Sequence, residues 1–476
     1  MIFTTYKFVL LFLPTVIVVY YILNHFKLYS ISKIWLIVSS FYFYSQGTPD
    51  FFPFFLGSVF ANYMVGITLS NMDPERKVQR KLLCAIGILG NVALLGYYKY
   101  TDFFIENTNA IFGTDIPLKR IILPIGISFF TFQLIAYIVD SYRQLTSNYN
   151  ILDYLLFITF FPQLIVGPIV HHSEMVTQFE NEDNLRFKPE NISFGLFLFA
   201  IGAAKKMFLA DTMSTDAQVF FDNISDSMPM ISSWYYSLEY AVAYYFDLSG
   251  YADMAIGMGW MFNVKIPENF NSPLKARDFQ DYWKRWHMTL SRFLGDYIFR
   301  SVYKKGVPYR NYYVATMVTF FVSGFWHGSG WNFVIWGIIN GILVCIASWM
   351  NRKKIKIPAV IGVFVTLCFV AITRALFVAS SLPEAWTVIR NMFNFGWLYG
   401  KKTASALSQI KSFVLDNYKN LLIMNLSLLW CWFLPNSTQI GEKFRRTRIS
   451  VVLTVLLLGA CLLNMDKVVQ FLYFQF

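Results

Sequence analysis

Residues 312–350 read YYVATMVTFFVSGFWHGSGWNFVIWGIINGILVCIASWM: no charged side chain, glycines bunched at the centre, and one histidine, His327, between Trp326 and Gly328. Basic residues bracket the block, with Arg292, Arg300, Lys304, Lys305 and Arg310 before it and Arg352, Lys353, Lys354 and Lys356 after it. Lysine and arginine concentrate in the cytoplasmic loops of membrane proteins. If both flanks lie there, the block enters the membrane and returns, with Ser323–Gly330 as its turn. At about 1.5 Å per helical residue, the run from Tyr312 to Phe325 reaches on the order of 20 Å, short of a full crossing. His327 is then expected deep in the bilayer, where irregular backbone persists only against protein or a water-filled cavity.

The rest of the chain is of the same kind. Of its 476 residues 56% are hydrophobic, 19% aromatic and only 14% charged, against about 25% charged in soluble domains. The apolar runs Phe8–Leu23, Leu82–Tyr98, Ile192–Ala204, Ala359–Ile372 and Val451–Leu463 approach, with their uncharged flanks, the roughly 20 residues that cross a hydrocarbon core. The fold class predicted is an all-α polytopic integral membrane protein of about ten to twelve membrane helices, organised as a single domain over residues 1–476. The first run lacks a small-residue cleavage site and reads as a retained anchor. The expected location is the inner (cytoplasmic) membrane, multi-pass, with the lipid bilayer as its constant partner.

The net charge of +12 lies in loops between the apolar runs, so positive-inside placement accounts for most of it. With no nucleic-acid motif in the chain, no nucleic-acid partner is expected. Asp211 to Asp226 carries four aspartates and neither Lys nor Arg, which suits the outer side. Cys84, Cys345, Cys368, Cys431 and Cys461 show no metal-site or redox spacing and read as small buried hydrophobes. No bound metal or tight cofactor is expected.

A second histidine, His287, sits in Trp283-Lys-Arg-Trp-His-Met-Thr-Leu-Ser291. With only 5 His in the chain, each buried one is costly unless paired or used, and imidazole is the side chain best suited to move a proton near neutral pH. Phe279, Tyr282, Trp283, Trp286, Leu290, Phe293, Leu294, Tyr297 and Ile298 recur at helical spacing, and Asp281/Arg285 and Asp296/Arg300 are acid-first pairs four apart. One amphipathic helix is predicted, at the cytoplasmic interface or re-entrant, with His287 on the flank of its apolar face. Headgroup-level anchoring would serve the same pattern, just as capping a helix end would serve His327.

Four further features bear two readings each. Asp247 and Asp253, in the apolar stretch Tyr244–Gly257, are a functional pair or two helix-end carboxylates with Ser249-Gly250 as the break. Lys205-Lys206 snorkel to an interface or pose the same intramembrane problem. Gly337-Ile-Ile-Asn-Gly341 is a small-xxx-small pattern for close helix packing. His171-His172, with no further ligands nearby, read as loop residues rather than a metal pair.

Taken in order, several segments resemble the membrane-bound O-acyltransferase family, and within it the bacterial alginate O-acetyltransferase branch. They are Pro124-Ile-Gly-Ile-Ser-Phe-Phe-Thr-Phe-Gln133, Asp140-Ser-Tyr-Arg143, Phe160-Phe-Pro-Gln-Leu-Ile-Val-Gly-Pro-Ile169, Ala204-Lys-Lys206, Tyr245–Asp253, Asn269–Pro273, Trp283–Ser291, Gly324–Trp331 and the terminal Phe471–Phe476. His171-His172 stand where family members often have Arg. The resemblance implies membrane helices with re-entrant or tilted interfacial helices around a central tunnel. It further implies an enzyme that passes an acetyl group from cytoplasmic acetyl-CoA toward an extracytoplasmic polysaccharide or partner acetyltransferase. On it His327 takes the place of the family's catalytic histidine and His287 that of the second histidine of the branch.

The chemistry requires a base near the acceptor hydroxyl and donors for the developing oxyanion. His327 suits the first, and the Gly328–Gly330 turn or Asn332 the second. His287 is a proton relay or thioester-orienting group, with Trp326, Trp283, Arg285, Trp286 and Asp253 as substrate-binding candidates. Arg277, Lys284 and Arg285 offer cations to the anionic part of a coenzyme. D-alanyl transfer to teichoic acid from a carrier protein is the alternative within the enzyme class. A proton-coupled transporter is the alternative outside it, although no repeated pair of interrupted helices supports that fold.

Overall fold

The computed structural model describes residues 2–146, 149–304, 306, 308, 310–395, 403–444, 447–467, 469 and 471–472, and every regular element among them is helical. Lys305 and residues 473–476 of the terminal motif lie outside the described residues. Among the described residues six helices are long and apolar enough to cross a membrane: Lys7–His25, Phe52–Asn71, Lys77–Phe112, Pro189–Phe221, Trp331–Arg352 and Ala359–Val378. Ile127–Tyr142 and Arg448–Leu462 are apolar but shorter. Four of the five apolar runs read from the sequence fall within long helices, and the fifth coincides with Arg448–Leu462. Many outward side chains are large hydrophobes, among them Leu89, Val360, Phe364 and Leu456. In water such faces would drive association, whereas in a bilayer they are the solvated surface.

The chain groups into two interleaved units. The first comprises Met1–Ala203, Tyr251–Glu268 and Phe444–Lys467. Two of its buried carboxylates are paired within it. Lys33 pairs with the buried Asp153 at 2.6 Å, and His172 is held between Asp140 (Nε2 to Oδ2, 3.2 Å) and the Tyr149 hydroxyl (Nδ1 to Oη, 2.8 Å). The loop reading of His171-His172 is thereby corrected. His171 is the N-cap of the helix His172–Glu180, and Glu174 closes a capping box by accepting the His171 backbone N–H. The cap orphans of the helix start are satisfied locally, which is why this helix begins at a pair of histidines.

The second unit comprises Ala204–Gly250, Asn269–Lys443 and Val468–Phe476. Its centre is the hairpin made by Arg310–His327 and Trp331–Arg352. The turn is shorter than the sequence suggested: Ser323–His327 remain helical, and only Gly328–Gly330 leave the helix. Glycine sets the approach of the two arms. A Cβ on Gly324 would stand 2.4 Å from the Phe333 carbonyl oxygen, and one on Gly337 2.4 Å from that of Phe320. Backbone therefore packs on backbone, the use of small residues that membrane helices favour. Gly341 continues the seam against Met317 and Phe320.

The helix Met230–Met261 runs through Ser249-Gly250 without a break, which removes the helix-end explanation of Asp247 and Asp253. Asp247 is mid-helix and fully buried. It is compensated by Lys206, whose ammonium lies 2.7 Å from Asp247 and 2.5 Å from Asp211. Lys206 is itself buried, so it does not snorkel. A π turn over Lys205–Ala210 makes this possible. In an α-helix residues five apart point about 140° away from each other, whereas the wider i→i+5 turn sets them on one side. The same carboxylates receive the end of the chain: the Leu472 N–H donates to Asp247 at 3.0 Å and the Val469 N–H to Asp211 at 3.4 Å.

Candidate active site

His327 ends the first arm of the hairpin and is buried. Its imidazole is surrounded by aromatic rings, with centroids of Trp326 at 4.8 Å, Trp336 at 5.1 Å and Phe377 at 5.3 Å, all edge-to-face. The glycine turn exists to let this cage close. A Cβ on Gly328 would lie 2.1 Å from the Phe333 ring, and Phe333 in turn packs on Phe377 at 5.1 Å. Asn332 is buried and donates its side-chain amide to the Ala379 carbonyl at 3.1 Å. It thus ties the second arm to the end of Ala359–Val378.

His287 departs from the single helix predicted around it. Phe279–Arg285 and Met288–Leu294 are separate helices, followed by a π turn over Gly295–Phe299. His287 lies at the break with φ 46° and ψ 51°. A left-handed non-glycine residue costs on the order of 1–3 kcal/mol and persists only where the surroundings over-determine it. Asn269 does that. Its side-chain oxygen accepts from the Thr289 N–H (3.2 Å), the Thr289 hydroxyl (2.9 Å) and His287 Nδ1 (3.2 Å), and its carbonyl accepts the Met288 N–H at 2.8 Å. An oxygen already accepting from a backbone N–H fixes the tautomer: Nδ1 of His287 carries the proton and Nε2 the lone pair. Burial pushes the imidazolium of His287 down to about 3, so it is neutral at physiological pH.

The predicted aromatic face is otherwise present, with Phe279, Tyr282, Trp286, Leu290, Phe293, Leu294 and Tyr297 buried. The pairs Asp281–Arg285 (2.8 Å) and Asp296–Arg300 (2.9 Å) also form. Trp286 stacks on Tyr244 at 6.0 Å and on Tyr282 at 5.6 Å, Tyr244 meets Phe377 at 5.6 Å, and Trp283 meets Trp336 at 5.8 Å. Trp326, Trp283 and Trp286 therefore share one aromatic network with both histidines. Arg285 stands apart, bonded to Asp281 and the Asn271 carbonyl. Asp253 lies on Met230–Met261 in the part grouped with the first unit.

The sequence reading passed over Arg374. It is the only charged residue of the apolar helix Ala359–Val378 and is buried. Its guanidinium carbon lies 4.2 Å from the Tyr244 ring centroid, 4.9 Å from Phe377 and 5.8 Å from Trp286. The signal was available, because a lone intramembrane cation is a functional hypothesis by default. Asn269 offered none, since its role depends on contacts eighteen to twenty positions away.

Two buried imidazoles and a buried cation in one aromatic setting have the means to deprotonate a hydroxyl and stabilise a tetrahedral anion. The family model that matches residues 36–382 is described as MBOAT, membrane-bound O-acyltransferase family. The chain is 36% identical to the peptidoglycan O-acetyltransferase of Helicobacter pylori, over 100% of this chain and 98% of that protein. It is 32% identical to the probable alginate O-acetylase AlgI of Pseudomonas putida, over 100% of both. The teichoic acid D-alanyltransferase of Bacillus subtilis matches at 27% over 53% of this chain and 69% of its own length.

Proposed function

We propose that this chain, which belongs to the membrane-bound O-acyltransferase family, passes an acetyl group from cytoplasmic acetyl-CoA across the membrane to an extracytoplasmic polysaccharide or a partner acetyltransferase. The observation that carries the reading is His327, held at the glycine turn of the hairpin in an aromatic cage. The neutral imidazole takes the proton of the acceptor hydroxyl as the oxygen attacks the thioester carbonyl. The tetrahedral oxyanion collapses with departure of the thiolate, which recovers a proton, and an ester replaces the thioester. Backbone N–H groups of the Gly328–Gly330 turn are oxyanion donors in this scheme. Asn332 is the weaker choice, because its amide already serves Ala379.

Membrane O-acyl transfer is common to the relatives, and their full-length agreement favours acetyl over D-alanyl transfer. Peptidoglycan and alginate-like polymers are the acceptor classes their names supply. In the same reading the six candidate spans and the shorter helices Ile127–Tyr142 and Arg448–Leu462 belong to a set of about ten to twelve membrane segments around a tunnel, set in the inner membrane. His287 lies toward the donor end of that path and His327 toward the acceptor end, with Asp253 and Arg285 contributing to substrate binding. Purified protein in liposomes, offered labelled acetyl-CoA or a D-alanyl-charged carrier protein, tests the proposal directly. Label must move from acetyl-CoA in the wild type and not in His327→Ala, and transfer from the carrier alone would overturn it. Mass spectrometry of surface polysaccharides with and without the protein then names the acceptor.

A further inference from the structure

Among the described residues of the second unit two cations are buried, Lys206 and Arg374, and ion pairs are formed by the first. Lys206 has Asp211 and Asp247. Arg374 makes no ion pair among the described residues. Among the described residues its Nε has no hydrogen-bond partner, nor have the buried hydroxyls of Tyr240 and Tyr244. Tyr244 carries the guanidinium on its ring and stacks on Tyr240 at 6.4 Å.

Cation–π contact offsets part of the desolvation of a buried guanidinium, yet an isolated interior charge remains costly unless an anion completes it. The aromatic rings lie around the guanidinium, which leaves the N–H groups of its fork to meet an oxygen acceptor. That edge suits one small oxygen acceptor. Phe377 places the group: the ring is 4.9 Å from the guanidinium carbon and 5.3 Å from the His327 imidazole. Charge and base lean on the same ring.

We propose that Arg374, with the Tyr244 hydroxyl beside it, receives the negative oxygen that develops on the acyl carbon during transfer, and is a further catalytic residue. The inference rests on the acyl-transfer reading above. In the reaction the carbonyl π pair moves onto oxygen as the hydroxyl oxygen bonds to carbon, and Arg374 holds that oxygen until the pair returns and the carbon–sulfur bond breaks. No proton leaves the guanidinium.

The test is steady-state acetyl transfer by the full chain in liposomes, with kcat and KM measured against acetyl-CoA for Arg374→Met, Arg374→Lys and Tyr244→Phe. Removing an oxyanion donor costs on the order of 10²–10³ in kcat. The expected result is a loss of about 100-fold in kcat for Arg374→Met with KM little changed, a smaller loss for Tyr244→Phe, and partial recovery in Arg374→Lys. Lys keeps the stem and the charge, so Arg374→Lys carries the test if the Met variant does not fold. Unchanged kcat in folded protein, or a loss confined to KM, overturns the assignment. The second outcome would place a ground-state anion, such as a coenzyme phosphate, on the guanidinium. Acetate separates this proposal from the role of His327: it should raise the melting temperature of His327→Ala and leave that of His327→Ala/Arg374→Met unmoved. Equal shifts in the two also overturn it.

Discussion

The two tryptophan-framed histidines are alike in sequence and opposite in how the fold holds them. His327 ends a regular helix, and rings restrain it from three sides. His287 sits in left-handed backbone between two short helices, and hydrogen bonds accepted by one asparagine restrain it. Aromatic edges frame the first imidazole. A fixed Nδ1–H to Asn269 commits the other to one tautomer, with strain stored in its backbone. In the acyl-transfer reading proposed above, the difference suits His327 to proton transfer and His287 to orientation.

The largest test of that division is turnover. His327→Ala should lose about 10³-fold or more in acetyl transfer, and His287→Ala about 10²-fold, in line with general-base contributions. The reverse order would exchange the roles.

Acid stability comes next. His287 binds its proton far less readily when folded than when unfolded, so the unfolded chain holds the extra proton between pH 6.5 and about 3. Stability attributable to it is complete above pH 6.5 and falls by about 1.4 kcal/mol per pH unit below that. Denaturation in detergent should show a flatter acid limb in His287→Gln than in the wild type. Parallel limbs would refute the neutral, buried state.

Asn269→Ala removes the shared acceptor and should destabilise by about 2 kcal/mol, since buried donors are left unpaired. His327→Ala should cost less stability than that. Smallest is the backbone term: His287→Gly should be about 1 kcal/mol more stable than His287→Ala, because glycine alone enters left-handed space freely. Equal melting temperatures would mean that the bend carries no strain.

The hairpin was legible because its signals are local: an uncharged run, a glycine cluster and basic flanks. Its turn was overestimated because Gly324 serves helix contact, a use indistinguishable in sequence from a break. The bend at His287 was hidden for the converse reason. Aromatic periodicity runs straight across it, and the clamp comes from a remote residue. Gly250 misled similarly, since a buried glycine inside a helix is tolerated when packing overrides propensity. Lys206 could not be read from the chain, because Asp247 reaches it from another helix and a π turn has no sequence signature. Arg374 could have been: its charge interrupts an otherwise uncharged helix.

That π turn has a genetic consequence. A helix with one residue too many is mended by deletion, so losing a single codon within Lys205–Ala210 would yield a more regular helix. It would also rotate Lys206 away from Asp211 and unseat the backbone of Val469 and Leu472. The reading frame would survive, no side chain of the acyl path would change, and the terminus would lose its mooring. Small in-frame indels there should disturb this seat more than a substitution within the same turn.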